Sequence, residues 1–181
     1  MTLGFSTHIN GMPTNFVAKI WAGFKEYASL GSFAEQAYEY GADIYHYQDY
    51  RPKLHSIRTD EKNRWKVGMK IHMVTGNRTP NRFQFAPVLS VQAIQKIMII
   101  WSLYDQDQLN GVVGVYIDEE EIGECEYRND ILVASKNFNA IKKLAINDGF
   151  DTLKEFFQYF NGDFVGKIIH WTDLKYYPIL K

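Results

Sequence analysis

The residues with the clearest chemical potential lie together at positions 53–58, whose sequence is Lys-Leu-His-Ser-Ile-Arg. A hydroxyl at its ordinary pKa is a poor nucleophile, so Ser56 would need a base. Lys53 can act as that base only if burial or a nearby cation, such as Arg58, lowers its pKa. Residues three apart on a regular strand point to opposite faces, so Lys53 and Ser56 meet only if the chain bends between them. The alternative interpretation is structural, with a lysine that protects a strand edge and a serine that fills a polar slot.

Basic residues follow this segment closely, and an aromatic residue lies among them. A guanidinium forks onto phosphate and stacks on bases, and cations interleaved with an aromatic ring suit single-stranded nucleic acid or a nucleotide. For Trp65 alone, packing at the end of the fold is the favoured interpretation. The candidate ligand-binding residues are Arg58, Arg64, Trp65, Lys66 and Arg78.

Three of the five histidines, His55, His72 and His170, fall on predicted strands. A metal site would need these side chains to converge, and no His-x-His or HExxH spacing supports that arrangement. The sequence therefore predicts no metal and no cofactor.

Four helices are predicted to surround these residues. Apolar spacing after Thr14 predicts a first helix that ends near Gly23, and a capping-box pattern predicts a second helix over residues 32–40. Two later helices are predicted over residues 139–147 and 152–160, the last of them capped by Asp151.

Alternating and β-branched segments predict the strands, and acidic residues 118–121 are predicted to form a solvated hairpin turn. The run from residue 91 is compatible with a helix or a strand, and its crowded isoleucines favour a strand from about Gln95. Because these elements lack a regular βαβ rhythm, they predict an α+β fold built on a compact barrel. The predicted strands are residues 54–58, 70–75, 82–87, 95–101, 112–117 and 166–171.

The composition predicts one globular domain over the 181 residues. The net charge of −1 provides no general field for a polyanion, so any nucleic-acid contact requires a local basic patch. The lone Cys125 excludes an intramolecular disulfide and a Cys-rich zinc site. No signal-peptide pattern and no long apolar run is present, so we expect a soluble cytoplasmic protein without a membrane partner or a disulfide-linked partner.

The order of these features resembles the ASCH family, whose fold is a PUA-like β-barrel. The resemblance implies a single domain over residues 1–181, a mostly antiparallel β-barrel of five or six strands with short flanking helices, and an aromatic-rich insertion at about residues 24–52. It leaves the oligomeric state open. The segments that carry it are residues 20–23, 53–58, 65–72, 147–150 with the helix that follows, and 166–171.

The resemblance also implies a function, because PUA-like domains commonly bind RNA or nucleotides. The leading expectation is therefore that RNA, a nucleoside or a nucleotide binds in a basic, aromatic-lined cleft. One bacterial branch, the N4-acetylcytidine amidohydrolases, implies the alternative of amide hydrolysis on an acylated nucleoside. In that alternative Ser56 is the nucleophile, Lys53 the base and Asp148 the acid, with Asp148 as the nearest match to a glutamate and one methylene shorter. A third expectation is a protein-interaction module that uses the tyrosine-rich insertion.

Overall fold

The computed structural model describes the chain except residues 28–34, 36, 43–46, 48, 106–109, 130 and 178–181. Residues 35 and 37–39 are helical, and the helices with defined bounds are α1 (Phe16–Tyr27), α2 (Phe138–Asn147) and α3 (Leu153–Tyr159). The strands are β1 (Thr2–Gly4), β2 (His8–Ile9), β3 (Met12–Pro13), β4 (His55–Arg58), β5 (Lys70–Thr75), β6 (Phe83–Gln84), β7 (Leu89–Ser90), β8 (Ala93–Asp105), β9 (Asn110–Ile117), β10 (Glu120–Arg128), β11 (Ile131–Lys136) and β12 (Phe164–His170).

Most of these strands pair antiparallel. The larger sheet has the order β11-β10-β9-β8-β12-β4, and every neighbouring pair in it is antiparallel. In the smaller sheet, β5 pairs in parallel with β1 and antiparallel with β6 and β7, while β2 and β3 form a separate hairpin. The α+β class is thereby confirmed. Among the described residues the larger sheet is open, since it ends at β4 and β11, and the strands outnumber the five or six that were predicted.

Two hydrophobic cores lie on either side of β4 and β12. One core contains Ile57 and Ile168 with the apolar residues of α2 and α3, and the other contains Ile169 with the buried residues of α1. Adjacent residues of a strand point to opposite faces, so these two strands supply side chains to both cores. β4 is consequently buried on both faces although it is the last strand of its sheet.

Local signals predicted several elements well. The ambiguous run is a strand, as predicted, and extends over β8, while the strand predicted at residues 70–75 coincides with β5. Asp118 and Glu119 have positive φ angles of 50° and 75° and form the turn between β9 and β10, which confirms the acidic hairpin. None of the described helices is long and apolar enough to cross a membrane.

Other local predictions need correction. α1 continues to Tyr27 instead of ending near Gly23, because this glycine serves close packing: a Cβ there would lie 3.0 Å from the carbonyl oxygen of Lys53. The cap of α3 is Thr152, whose hydroxyl accepts the Glu155 N–H at 3.1 Å, and not Asp151. The strand expected over residues 82–87 contains only Phe83–Gln84. Of the helix predicted at residues 32–40, residues 35 and 37–39 are helical, while residues 32–34 and 36 and much of the aromatic insertion lie outside the described residues.

Candidate functional site

Lys53 precedes β4 and is not part of its hydrogen-bonded ladder. Its N–H donates to the carbonyl of Lys19 on α1 at 2.9 Å, and the N–H of Leu54 donates to the carbonyl of Asn147 on α2 at 2.8 Å. These two bonds attach the chain to helices just before the strand begins. Lys53 therefore lies outside the regular alternation of β4, which begins at His55.

The Lys53 ammonium meets Asp148, which ends α2 and is 95 residues away in the sequence. Lys53 Nζ lies 2.9 Å from Asp148 Oδ1 and also donates to the backbone carbonyl of Asp148. The same Oδ1 accepts the N–H of Ile57 at 3.0 Å. Because β4 ends its sheet, that N–H has no neighbouring strand to bond, and the carboxylate takes the place of one.

Both members of this pair are buried, and burial changes their ionisation. Lys53 is 1% exposed and Asp148 is 4% exposed. Burial lowers the pKa of Lys53 to about 8, although the Asp148 charge opposes this, and the nearby Arg58 and Lys19 lower it further. Burial raises the pKa of Asp148, but the charge of Lys53 and the adjacent His55 more than offset it, so this carboxyl titrates below its usual range.

Ser56 and Arg58 lie on one face of β4. Ser56 is directly opposite Ile169 of β12, so the two side chains point to the same core, which also contains Phe5 and Phe16. Arg58 points the same way, since its guanidinium carbon lies 5.5 Å from the centre of the Phe5 ring. Ser56 is 1% exposed.

The Lys53 ammonium faces the same two phenylalanines. Its Nζ lies 4.7 Å from the centre of the Phe16 ring and 5.9 Å from that of Phe5. The structure therefore directs Lys53, Ser56 and Arg58 toward the core that contains Phe5 and Phe16. Asp148 lies at the open edge of β4, where it bonds Lys53 and the Ile57 N–H. We call these four residues the β4 cluster.

Two cavities lie near the β4 cluster, one lined by Phe16 and the other by Phe5. The Phe16 cavity, of about 380 Å³, contains Lys19, Gly149, Phe150 and Gln158 in its wall. The Phe5 cavity, of about 460 Å³, is lined by residues 4–8 with Gly76 and Asn77. None of Lys53, Ser56, Arg58 and Asp148 lines either cavity, so the predicted open cleft is closed here by Phe5 and Phe16.

Gly149 lies in the wall of the Phe16 cavity, next to the Lys53 side chain. Its φ angle is +96°, and an added Cβ would lie 2.8 Å from Phe16 and 2.9 Å from the Lys53 side chain. A glycine is therefore required where α2 ends, and it separates the Phe16 cavity from Lys53 by backbone alone.

The remaining predicted binding residues lie apart from the cluster. Arg64, Lys66 and Arg78 are exposed, whereas Trp65 is 5% exposed and belongs to the hydrophobic core. The placement of Trp65 agrees with the packing role favoured for it. Its ring does not form a surface on which a base could stack.

Asp60, which organises the turn at residues 60–65, was not predicted from the sequence. Its carboxylate accepts the N–H groups of Arg64 at 2.9 Å and Trp65 at 3.0 Å, and pairs with Lys167 Nζ at 3.0 Å. Burial raises its pKa, but these donors outweigh that effect and hold the pKa of Asp60 below its usual value. An Asx-type signal four residues before Arg64 would have indicated the turn.

His55 introduces a second polar group that the sequence did not predict. Its Nε2 lies 2.7 Å from the Tyr176 hydroxyl, which also accepts a hydrogen bond from Asn147 Nδ2 at 2.8 Å. Its Nδ1 lies 3.6 Å from Asp148 Oδ1. The ring of His170 lies 5.4 Å from that of His55, and burial lowers the pKa of His170 to about 3.

The described residues contain no group of three His, Cys, Asp or Glu side chains that could hold a metal ion. His72, the third histidine considered, contacts Gln84 Oε1 at 3.2 Å instead. Cys125 is buried in the core, which raises the pKa of its thiol to about 12.

Comparison of the chain with protein-family models, with curated proteins and with solved structures finds no match. The β4 cluster and the order of the sequence features are therefore the basis for inferring a function.

Proposed function

We propose that this chain is an ASCH-type domain with a PUA-like fold that binds a nucleoside, a nucleotide or RNA beside the β4 cluster. The observation that carries the proposal is the buried ion pair between Lys53 Nζ and Asp148 Oδ1, at 2.9 Å. A buried ion pair contributes little net stability because both ions lose their hydration. Ionisable groups with perturbed pKa values next to a cavity are typical of functional sites.

The Phe16 cavity provides the ligand-binding volume in this proposal. Its volume of about 380 Å³ falls in the range of small-molecule sites. Phe16 and Phe150, with ring centres 6.3 Å apart, supply aromatic surface, and Asn10, Asn15 and Gln158 supply amide groups that can bond to a base edge. A ligand in this cavity would reach Lys53 by displacing the Phe16 ring.

Binding can be tested by calorimetric titration of the full chain with cytidine, cytidine 5′-monophosphate and a single-stranded RNA. We expect at least one of these ligands to bind, and Gln158→Trp, which fills the Phe16 cavity, to weaken binding about tenfold or more. The matched control is Thr7→Trp, which places the same side chain in the Phe5 cavity and should leave the affinity unchanged. Absence of binding by all three ligands would refute the proposal.

RNA binding leads to a separate prediction about the exposed basic residues Arg64 and Lys66. If RNA is the ligand, its affinity should fall with added salt, and charge reversal at Arg64 and Lys66 should weaken it further. Unchanged affinity after both reversals would exclude this basic surface as the RNA-binding site.

Amide hydrolysis is a second candidate, favoured by the lowered pKa of Lys53, about 8. A neutral Lys53 amine would take the proton of the Ser56 hydroxyl as its oxygen attacks the acyl carbon of the substrate. The resulting ammonium would return that proton to the leaving amine as the C–N bond breaks, and water would then hydrolyse the acyl-serine with Lys53 again as base. Because the pKa of Asp148 is lowered, its expected role is that of an ionised carboxylate that orients Lys53, and not that of a proton donor.

Acetate release from N4-acetylcytidine tests this candidate. We expect Ser56→Ala and Lys53→Met to abolish release and Ser56→Thr, which keeps a hydroxyl, to retain it. A panel of acylated nucleosides that yields no turnover with the folded wild-type chain would remove the hydrolase and leave the binding function.

A further inference from the structure

A chain of hydrogen-bonding side chains, of which only Tyr176 is partly exposed, leads to the carboxylate of the β4 cluster, and the proposed chemistry does not use it. It consists of Asn147, Tyr176, His55 and Asp148, joined by contacts of 2.8, 2.7 and 3.6 Å. His55 is completely buried. Tyr176 is fixed in place by Gln95, whose side chain bonds both the N–H and the carbonyl of Tyr176 at 2.8 Å.

The hydrogen-bond directions determine which nitrogen of His55 carries the hydrogen. Asn147 Nδ2 donates to the Tyr176 hydroxyl, so the hydroxyl hydrogen is available for His55 Nε2. His55 then carries its hydrogen on Nδ1, directed at Asp148. The other tautomer would place the Nδ1 lone pair against a carboxylate and leave the hydroxyl hydrogen without an acceptor in this group.

The distance of 3.6 Å between His55 Nδ1 and Asp148 Oδ1 is too long for a hydrogen bond. Asp148 Oδ1 already accepts from two donors, Lys53 Nζ and the Ile57 N–H. The situation changes when Lys53 gives up a proton or turns toward a ligand, because the buried carboxylate then loses its only cationic partner within this group. A shift of about 0.7 Å would bring it within hydrogen-bond distance of His55 Nδ1.

We propose that His55 and Tyr176 are positioning residues that hold an N–H donor in reserve for Asp148, so that this carboxylate stays ionised when Lys53 loses its proton. The proposal rests on the proposed function, since the reserve donor matters only if Lys53 changes its protonation or partner. The titratable groups that face His55 are Asp148, Lys53, His170 and Tyr176. Burial lowers the pKa of His55, which keeps the ring neutral and limits it to one hydrogen.

NMR of the full chain with ¹⁵N-labelled histidine tests the tautomer directly. Long-range ¹H–¹⁵N spectra at neutral pH should show the hydrogen of His55 on Nδ1. A hydrogen on Nε2 would overturn the proposal, and this measurement requires no variant to fold.

The effect on Lys53 provides the second readout, measured by titration of labelled lysine side chains. Tyr176→Phe keeps the ring but removes the hydroxyl that holds His55, so Asp148 depends more on Lys53 and the pKa of Lys53 should rise by about half a pH unit. Tyr177→Phe, the same change at a residue that is 75% exposed, should leave it unchanged. If Tyr176→Phe lowers the melting temperature without moving the Lys53 titration, the role is only structural. Neither measurement uses a nucleoside, so these results and those of the binding experiment can fail independently.

Discussion

The ion pair between Lys53 and Asp148 makes the sharpest prediction, which a double-mutant cycle can test. Lys53→Met keeps most of the side-chain length without the charge, and Asp148→Asn keeps the shape of the carboxylate. Each single change leaves the other group buried without its counterion, whereas the double variant removes both charges.

The expected magnitudes follow from burial. After Asp148→Asn, Lys53 can avoid a buried unpaired charge by deprotonating, and from an ordinary pKa of 10.5 this costs at most about 5 kcal/mol at pH 7. Removing one partner of a buried pair typically costs about 3–5 kcal/mol, which is the same range. In the double variant the amide oxygen at position 148 still accepts the Ile57 N–H. We therefore expect the double variant to lose about 2–4 kcal/mol less than the sum of the single variants.

Urea denaturation of the four proteins at pH 7 gives the coupling energy. The matched control is the pair of Lys19 and Asp151, which has the same 2.9 Å separation, but its Asp151 side chain is 58% exposed. Solvent screening should limit the control coupling to about 1 kcal/mol or less. A coupling between Lys53 and Asp148 that does not exceed the control would refute the claim that burial makes this pair special.

Three further predictions concern stability. Because the pKa of Lys53 is lowered in the folded state, the unfolded chain binds more protons between about pH 8 and 10.5. The unfolding free energy of the wild type should therefore rise across this window relative to that of the Lys53→Met, Asp148→Asn double variant. A difference in unfolding free energy that does not change with pH in denaturation curves would contradict this. Asp60→Asn should cost about 2 kcal/mol at pH 7, and that cost should shrink in acid, since the lowered pKa of Asp60 means that its stabilisation is lost as the pH falls through the folded-state value. Gly149→Ala should lower the unfolding free energy by about 2 kcal/mol or more because of its φ angle of +96° and its crowded Cβ position, while Gly162→Ala, which has open space, should change it little.

Elements with a clear local pattern could be predicted from the sequence. β5 and β9 alternate apolar residues on short β-branched runs, and α2 and α3 were placed within two residues of their observed bounds. In each case the signal lies within the element, so no knowledge of its neighbours is needed.

β10 was missed because its alternation is broken. A register shift lies between Glu121 and Gly123, so Ile122 and Gly123 are both buried in succession. The exposed face of the strand is largely acidic, so its sequence resembles that of a solvent-exposed loop. β1 was missed for a different reason: its three residues are defined by parallel pairing with β5, about 70 positions further along the chain.

The β4 cluster divides in the same way. Its residue types could be predicted from the sequence, and so could the requirement that the chain depart from regular strand geometry between Lys53 and Ser56, but Tyr176 carries no periodic signal that links it to His55. Above all, the burial of the Lys53 side chain could not be predicted from the sequence. An exposed lysine at a strand edge would keep an ordinary pKa and serve only to block aggregation. At 1% exposure, between Asp148 and the ring of Phe16, the same residue has a pKa of about 8 and can exchange a proton near neutral pH. The choice between a protective lysine and a chemical one is therefore decided by packing from α1, which lies more than twenty-five residues earlier in the chain.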